Sequence, residues 1–280
     1  MKKLLITGCN GQLGRALNKE YAGEQVQIVN TDVPELDITD LDAVMQRVRE
    51  VKPDVIMNCG AMTAVDLCES EYEKAFRINA LGPRNLSIAA RETGAKLFQI
   101  STDYVFSGDA DRPYTETDAT DPQSVYGYTK LAGEQFARDF AGRFFIIRTA
   151  WLYGEGKNFA ATMLRLSQSN DSVRVVSDQI GTPTSAAQLA QMIHILEPTE
   201  NYGIFHGTCE GACSWADFAA EIFRQAGKHT NVEYITTEEF QAAAKRPAYS
   251  VLDNQMLRLT TDFRMMQWQD ALSVYLKEIL

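Results

Sequence analysis

The sequence predicts an α/β protein: a doubly wound parallel sheet carrying a smaller mixed α/β lobe. Three observations predict it. Short apolar runs alternate with amphipathic stretches through the first half of the chain. The first apolar run leads straight into a glycine-rich turn. Past residue 148 this regularity gives way to shorter, less even segments. Apolar strands separated by helices mark a parallel sheet covered on both faces.

In chain order, residues 3–7 read as a strand, 11–21 as a helix and 26–30 as a second strand. Residues 41–51 follow as a helix, with Thr39 or Asp40 available as its N-cap. Residues 54–58 give a third strand, 75–93 a long helix and 96–101 a fourth strand. Residues 128–140 read as a helix and 144–148 as a fifth strand. Beyond these, 158–167, 185–196, 214–226 and 268–279 have helical patterning, and 173–176, 204–206 and 232–235 are short strand candidates. Ser214 with Asp217, and Thr236 with Glu239, have the spacing of capping boxes. The main domain is expected over 1–150 and about 184–207, returning a helix and a strand to the sheet. The smaller lobe is expected over about 151–183 and 208–280.

A chain of 280 residues, 45% of them hydrophobic, can bury a core near the upper size that one domain supports. Its 37 acidic residues outnumber its 27 basic ones, for a net charge of −10. That balance argues against nucleic acid or an anionic membrane as partner. Five cysteines and three scattered histidines form neither a disulfide framework nor a zinc pattern, so no metal is expected. The basic, apolar start runs into the glycine turn without a cleavage site, and reads as a strand, not a signal peptide. No apolar run approaches the ~18 residues that span a bilayer. The expectation is a reduced, cytoplasmic protein.

The turn is Thr7-Gly8-Cys9-Asn10-Gly11-Gln12-Leu13-Gly14, between the first strand and the first helix. Glycines at 8, 11 and 14 permit a sharp turn, close approach of backbone to a pyrophosphate, and tight packing of helix on sheet. The helix N-terminus then offers unpaired N–H groups to the anion. Asp32 closes the second strand, where a carboxylate accepts both hydroxyls of an adenosine ribose. No Arg or Lys lies between it and Asp40 to meet a 2′-phosphate, which favours NAD over NADP. Tyr126 and Lys130 are four residues apart at a helix start and share one face. Bringing a phenol from pKa ~10 to neutrality takes about 4 kcal/mol, which a close, desolvated ammonium supplies. The fourth strand ends in Ser101, Thr102 and Asp103, delivering hydroxyls and a carboxyl to the sheet edge where such folds bind ligands.

Glycine loop, Asp32, Thr102 and the Tyr126/Lys130 pair stand in the order and spacing of the extended short-chain dehydrogenases/reductases, whose Rossmann-like fold the chain is expected to share. Within that superfamily the chain most resembles the dTDP-4-dehydrorhamnose reductase family. The narrower likeness rests on the strings at residues 58–66, 101–106, 125–134, 148–154 and 178–184, and on Arg246-Pro247 ahead of Ser250. The resemblance implies reduction of the C4 ketone of dTDP-4-dehydro-L-rhamnose by NADPH or NADH. It implies Thr102, Tyr126 and Lys130 as catalytic. It places Gly8, Asn10, Gly11, Gln12, Leu13 and Gly14 around the pyrophosphate and Asp32, Asp37 and Ile38 around the adenosine. Cys59, Gly60, Ala61 and Thr63 line the remaining dinucleotide path, which ends at Tyr126 and Lys130. Thr102, Asp103 and Trp151 meet the sugar, and Arg246 the nucleotide diphosphate. Asn79 is expected in the active-site water network.

Related 4,6-dehydratases resemble a Thr-Asp-Glu pattern; here Tyr104 follows Thr102-Asp103, which disfavours elimination. Some relatives bridge a dimer through magnesium held by acidic residues, but Arg15, Ala16 and Ala187 stand nearest those positions. The chain is therefore expected as a monomer or weak homodimer. Two other readings share the motif order: a reductase or epimerase of another nucleotide-linked sugar, and a non-catalytic dinucleotide-binding regulatory subunit.

Overall fold

The computed structural model describes residues 1–280. The main domain alternates β1 (Lys2–Thr7), α1 (Gln12–Glu20), β2 (Val26–Thr31), α2 (Leu41–Val51) and β3 (Val55–Asn58). There follow α3 (Val65–Ser70), α4 (Tyr72–Phe76), a π-helical turn (Arg77–Leu81), α5 (Gly82–Thr93), β4 (Lys96–Thr102), α6 (Val125–Phe140) and β5 (Phe144–Thr149). The second half contains β6 (Leu152–Tyr153), α7 (Phe159–Leu166), β7 (Ser172–Val176), β8 (Ile180–Gly181), β9 (Thr184–Ser185), α8 (Ala186–Leu196) and β10 (Gly203–His206). It closes with β11 (Cys213–Ser214), α9 (Trp215–Gln225), β12 (Asn231–Ile235), α10 (Thr237–Phe240), α11 (Gln255–Thr260) and α12 (Trp268–Ile279).

The six-stranded sheet has the order β2-β1-β3-β4-β5-β10, parallel throughout. Alternation along the strands sends side chains to two buried faces. Leu4, Ile6, Val55 and Met57 meet α1 and α8 on one side. Leu5, Ile56 and Ile146 meet α2, α5 and α6 on the other. From β1 the chain moves outward to β2, then returns to β3 on the opposite side of β1. The crevice beyond the carboxyl ends of β1 and β3 is therefore the switch point at which such sheets bind ligands. A polar row floors it: Thr7 Oγ1 donates to Asn58 Oδ1 (2.7 Å), and Asn58 Nδ2 to Gln99 Oε1 (2.7 Å).

The smaller lobe has its own core, where Ala160, Met163, Phe218, Ile222, Trp268 and Leu272 come together. In it β7 and β12 form a separate parallel pair. Helix α8 packs into the main core and β10 pairs with β5 at the edge of the large sheet. The expected lobe at 208–280 is not uniform, however: Leu257 of α11 and Met265 belong to the main core. The Asp40 side chain caps α2, accepting from Ala43 N at 3.1 Å, and both capping boxes form. The long helix expected at 75–93 begins earlier and is interrupted by the π turn. No helix is long and apolar enough to cross a membrane.

Candidate active site

The glycine loop is shaped by backbone crowding. Gly8 has φ +64°, and a Cβ there would lie 2.6 Å from Gly60 N; one on Gly14 would lie 2.6 Å from Cys9 Cα. Gly11 N donates to Gly8 O at 3.0 Å, and Gly11 starts α1 without any side chain capping the helix. The first N–H groups of α1, from Gln12 and Leu13 onward, thus face the cleft as an anion site. Asn10 and Gly14 shape this loop without lining the cleft. Asn10 N donates to Asp32 Oδ2 (3.0 Å), and Asn10 O accepts from Arg15 Nε (2.8 Å).

Two hollows meet at Gly60 and Ala61. The first, about 470 Å³, is lined by Gly8, Asp32, Asp37 and Ile38, and also by Lys74 and Arg77. The second, about 510 Å³, is lined by Gly11, Gln12, Leu13, Cys59, Thr63, Thr102, Asp103, Tyr126, Lys130, Trp151 and Arg246. Each lies within the ~300–1,000 Å³ of small-molecule sites, and together they form an elongated track for a two-part ligand. The donor set fits a dinucleotide: unpaired helix N–H groups midway, carboxylates at one end, and hydroxyl and ammonium groups at the other. The buried, unpartnered Gln12 Oε1 also lies along this track.

At the reactive end, β4 runs out at Thr102, whose buried Oγ1 donates to Asp103 Oδ1 (2.9 Å) and accepts from Tyr104 N (3.2 Å). Asp103 is buried, and burial pushes its carboxyl up to about 6 against hydrogen bonds from Ser250 and Thr102. Asp103 nonetheless lines the second hollow beside Thr102. Helix α6 begins three residues before the expected 128, because Ser124 caps it by accepting from Gly127 N at 3.2 Å. Tyr126 therefore stands in the first turn, with Lys130 one turn on.

Burial raises the Tyr126 phenol above its ordinary value, while hydrogen bonding with Thr102 works to lower it. This differs from the sequence expectation that Lys130 lowers it. The Lys130 ammonium donates instead to Ile100 O at 2.6 Å, and burial brings it down to about 8. The phenol is thus protonated at neutral pH, a state suited to giving a proton rather than taking one.

Asn79 also departs from expectation. Its Oδ1 accepts from Met62 N (2.8 Å), and its Nδ2 donates to Met62 O (3.0 Å) and Thr129 Oγ1 (3.2 Å). A fully satisfied, buried amide within the π turn clamps the 62 loop to α6 and does not open onto the cleft. Arg246 is tied to Asp66 by Nη2 at 2.8 Å while its buried Nε stays unpartnered.

Three contributors escape sequence reasoning. Trp215 stacks on Trp151 with ring centroids 3.6 Å apart and 12° between planes; the capping box at Ser214 was the signal that α9 opens with this residue. Trp151 sits at φ +46°, a left-handed conformation costing of order 1–3 kcal/mol, held by that stack and by the absence of a Cβ on Gly181 against its ring. Lys74 and Arg77 lie more than 40 residues from Asp32 in sequence and reach its hollow only through folding.

Comparison with known proteins agrees with this geometry. The family described as "RmlD substrate binding domain" matches residues 1–280. The chain is 40% identical to a dTDP-4-dehydrorhamnose reductase of Aggregatibacter actinomycetemcomitans, over 97% of each chain. A crystal structure of a dTDP-4-dehydrorhamnose reductase from Clostridium acetobutylicum superimposes with TM-score 0.98 at 51% identity, covering 99% of both chains. One from Bacillus anthracis in complex with NADP gives 0.97 at 45% identity, covering 99% of this chain and all of the other. With the whole length matched and the switch-point cleft in place, the chain belongs to the RmlD substrate-binding-domain family.

Proposed function

We propose that the protein reduces the C4 ketone of dTDP-4-dehydro-L-rhamnose to dTDP-L-rhamnose, using NADPH or NADH. The observation that carries this reading is the Thr102–Tyr126–Lys130 set at the end of the track opened by the α1 N-terminus. Reduced nicotinamide, when bound, supplies the hydride. The chain's own residues do the rest. Tyr126, protonated and half-buried, gives its proton to the alkoxide oxygen as general acid. Thr102, its hydroxyl turning from Asp103 to the same oxygen on binding, fixes the orientation of that oxygen. Lys130, held by Ile100 O, offers its cation to the nicotinamide ribose. Asp103 accepts from a sugar hydroxyl, Trp151 covers the sugar, and Arg246 faces the diphosphate. The reductase activity for which the relatives are named and the absence of a glutamate after Asp103 support reduction over elimination.

Asp32 argued for NAD, but Lys74 and Arg77 across the same hollow alter the balance. Both Asp32 oxygens already accept backbone N–H groups, from Asn10 (3.0 Å) and Val33 (2.9 Å). Arg77, with Lys74 beside it in an exposed pair with Glu71 (2.8 Å), then lines the hollow that a 2′-phosphate would enter. Exposed ion pairs contribute about 0.2–1 kcal/mol each. The Lys74→Ala/Arg77→Ala double variant is thus expected to weaken NADPH about 5–10-fold at low salt and to leave NADH nearly unchanged. Titration of both cofactors, and of 2′,5′-ADP against 5′-AMP, reads this; equal losses for both would remove the assignment.

The reaction itself is tested by loss of reduced-nicotinamide absorbance with enzymatically generated dTDP-4-dehydro-L-rhamnose, followed by identification of dTDP-L-rhamnose. Absence of oxidation from protein that binds dinucleotide would move the weight to another nucleotide-linked ketosugar or to the regulatory reading.

A further inference from the structure

We propose that Glu134 is a positioning residue for catalysis, a buried counter-charge that fixes the Lys130 ammonium at the end of β4. The proposal rests on the role of Lys130 given above. Glu134 lies one turn along α6 from Lys130, on the same face. It is 2% exposed at the side chain and forms a two-point pair with Arg148 of β5: Nε to Oε1 at 2.9 Å, Nη2 to Oε2 at 2.7 Å. Ser101 Oγ donates to the same Oε1 at 2.5 Å. Ser101 directly follows Ile100, whose carbonyl accepts from Lys130. The carboxylate therefore pins the strand segment that holds the lysine, and places a negative charge beneath it.

The surrounding groups leave that task to Glu134. Burial removes charge from a lysine, and Lys130 is 4% exposed. Just beyond β3, the Cys59 thiol is pushed up to about 12 by burial and is neutral at working pH. Tyr126, on the same helix, stays protonated. Asp103 at the end of β4 acts on Tyr126, not on Lys130. Arg148 from β5 is the other cation nearby and is held by Glu134. Glu134 is the carboxylate that supports the charged form of Lys130 against burial.

The test compares pH profiles of kcat/KM, with melting temperatures measured in parallel. With Lys130 brought to about 8, the wild-type protein loses activity as pH rises through that region, because the ammonium is the working form. Glu134→Gln is expected to move this basic limb down by a pH unit or more. That is a loss of about fivefold or greater at pH 8, approaching tenfold at higher pH, with activity recovering toward wild type at pH 6. Glu134→Asp keeps the charge and should keep the limb in place. Because Glu134→Gln strands a buried guanidinium, Glu134→Gln/Arg148→Met serves as the folded comparison and should keep the shifted limb. A uniform loss at every pH in Glu134→Gln, or a wild-type profile in the double variant, would overturn the proposal. Lys130→Met separates the two levels: full activity there defeats the role of the lysine itself. An inactive Lys130→Met beside an unshifted Glu134→Gln defeats only the positioning role.

Discussion

Replacing Tyr126 by Phe is expected to lower kcat by about 10²–10⁴-fold, the range that a positioned general acid contributes. The substitution keeps the ring, so its edge-to-face contact with Tyr104, centroids 5.4 Å apart, remains. Folding and dinucleotide affinity should accordingly change little. Only the hydroxyl that meets Thr102 disappears, and with it the proton that the new alcohol needs. Because burial holds the phenol above its ordinary range, the acid stays loaded through neutral pH. The pH dependence of the wild type on its basic side is then set by Lys130. Steady-state kinetics together with a cofactor titration check this; near-wild-type turnover in Tyr126→Phe would dismiss Tyr126 as the acid.

The second large effect comes from a residue with no chemistry of its own. Gly127 follows Tyr126 on α6, where a Cβ would stand 2.1 Å from Tyr104 O and 3.1 Å from Pro122 Cβ. A carbon–oxygen contact of about 3.3 Å needs more than 1 Å of separation between helix and loop. Both carry the site: the loop follows Thr102 and Asp103, and the helix presents Tyr126 and Lys130. Gly127→Ala should therefore pull the phenol away from Thr102. A shift of about 1 Å at a reacting group costs on the order of 10²-fold in rate, and overpacking about 1–3 kcal/mol in stability. Gly142→Ala, whose Cβ would meet nothing within 4 Å, is the control expected to leave both unchanged. A Gly127→Ala protein with wild-type kcat would show that the helix–loop approach does not set the geometry.

Much of this protein was legible locally. Short apolar strand runs and the two capping boxes are short-range signals that formed as read, and of the two cap candidates, Thr39 and Asp40, the aspartate serves. The glycine spacing marked a tight strand-to-helix loop because Gly8 and Gly14 are places where a Cβ meets backbone. The π turn at Arg77–Leu81 was not legible, since a continuous helical pattern says nothing about one inserted residue. Nor was the early start of α6, which depends on a cap at Ser124 lying outside the apolar pattern.

The sequence by itself determined the element types, the tight glycine loop and the candidates for the reacting side chains, because these follow from local sterics and functional-group chemistry. Tertiary structure alone decided which charges act on one another. It turned Lys130 toward Ile100 rather than onto the phenol, brought Lys74 and Arg77 across from Asp32, closed Trp215 over Trp151, and buried Glu134 with Arg148 under the site. Burial and approach distance set the strength of an electrostatic contact, and both arise only when segments distant in the chain are packed together.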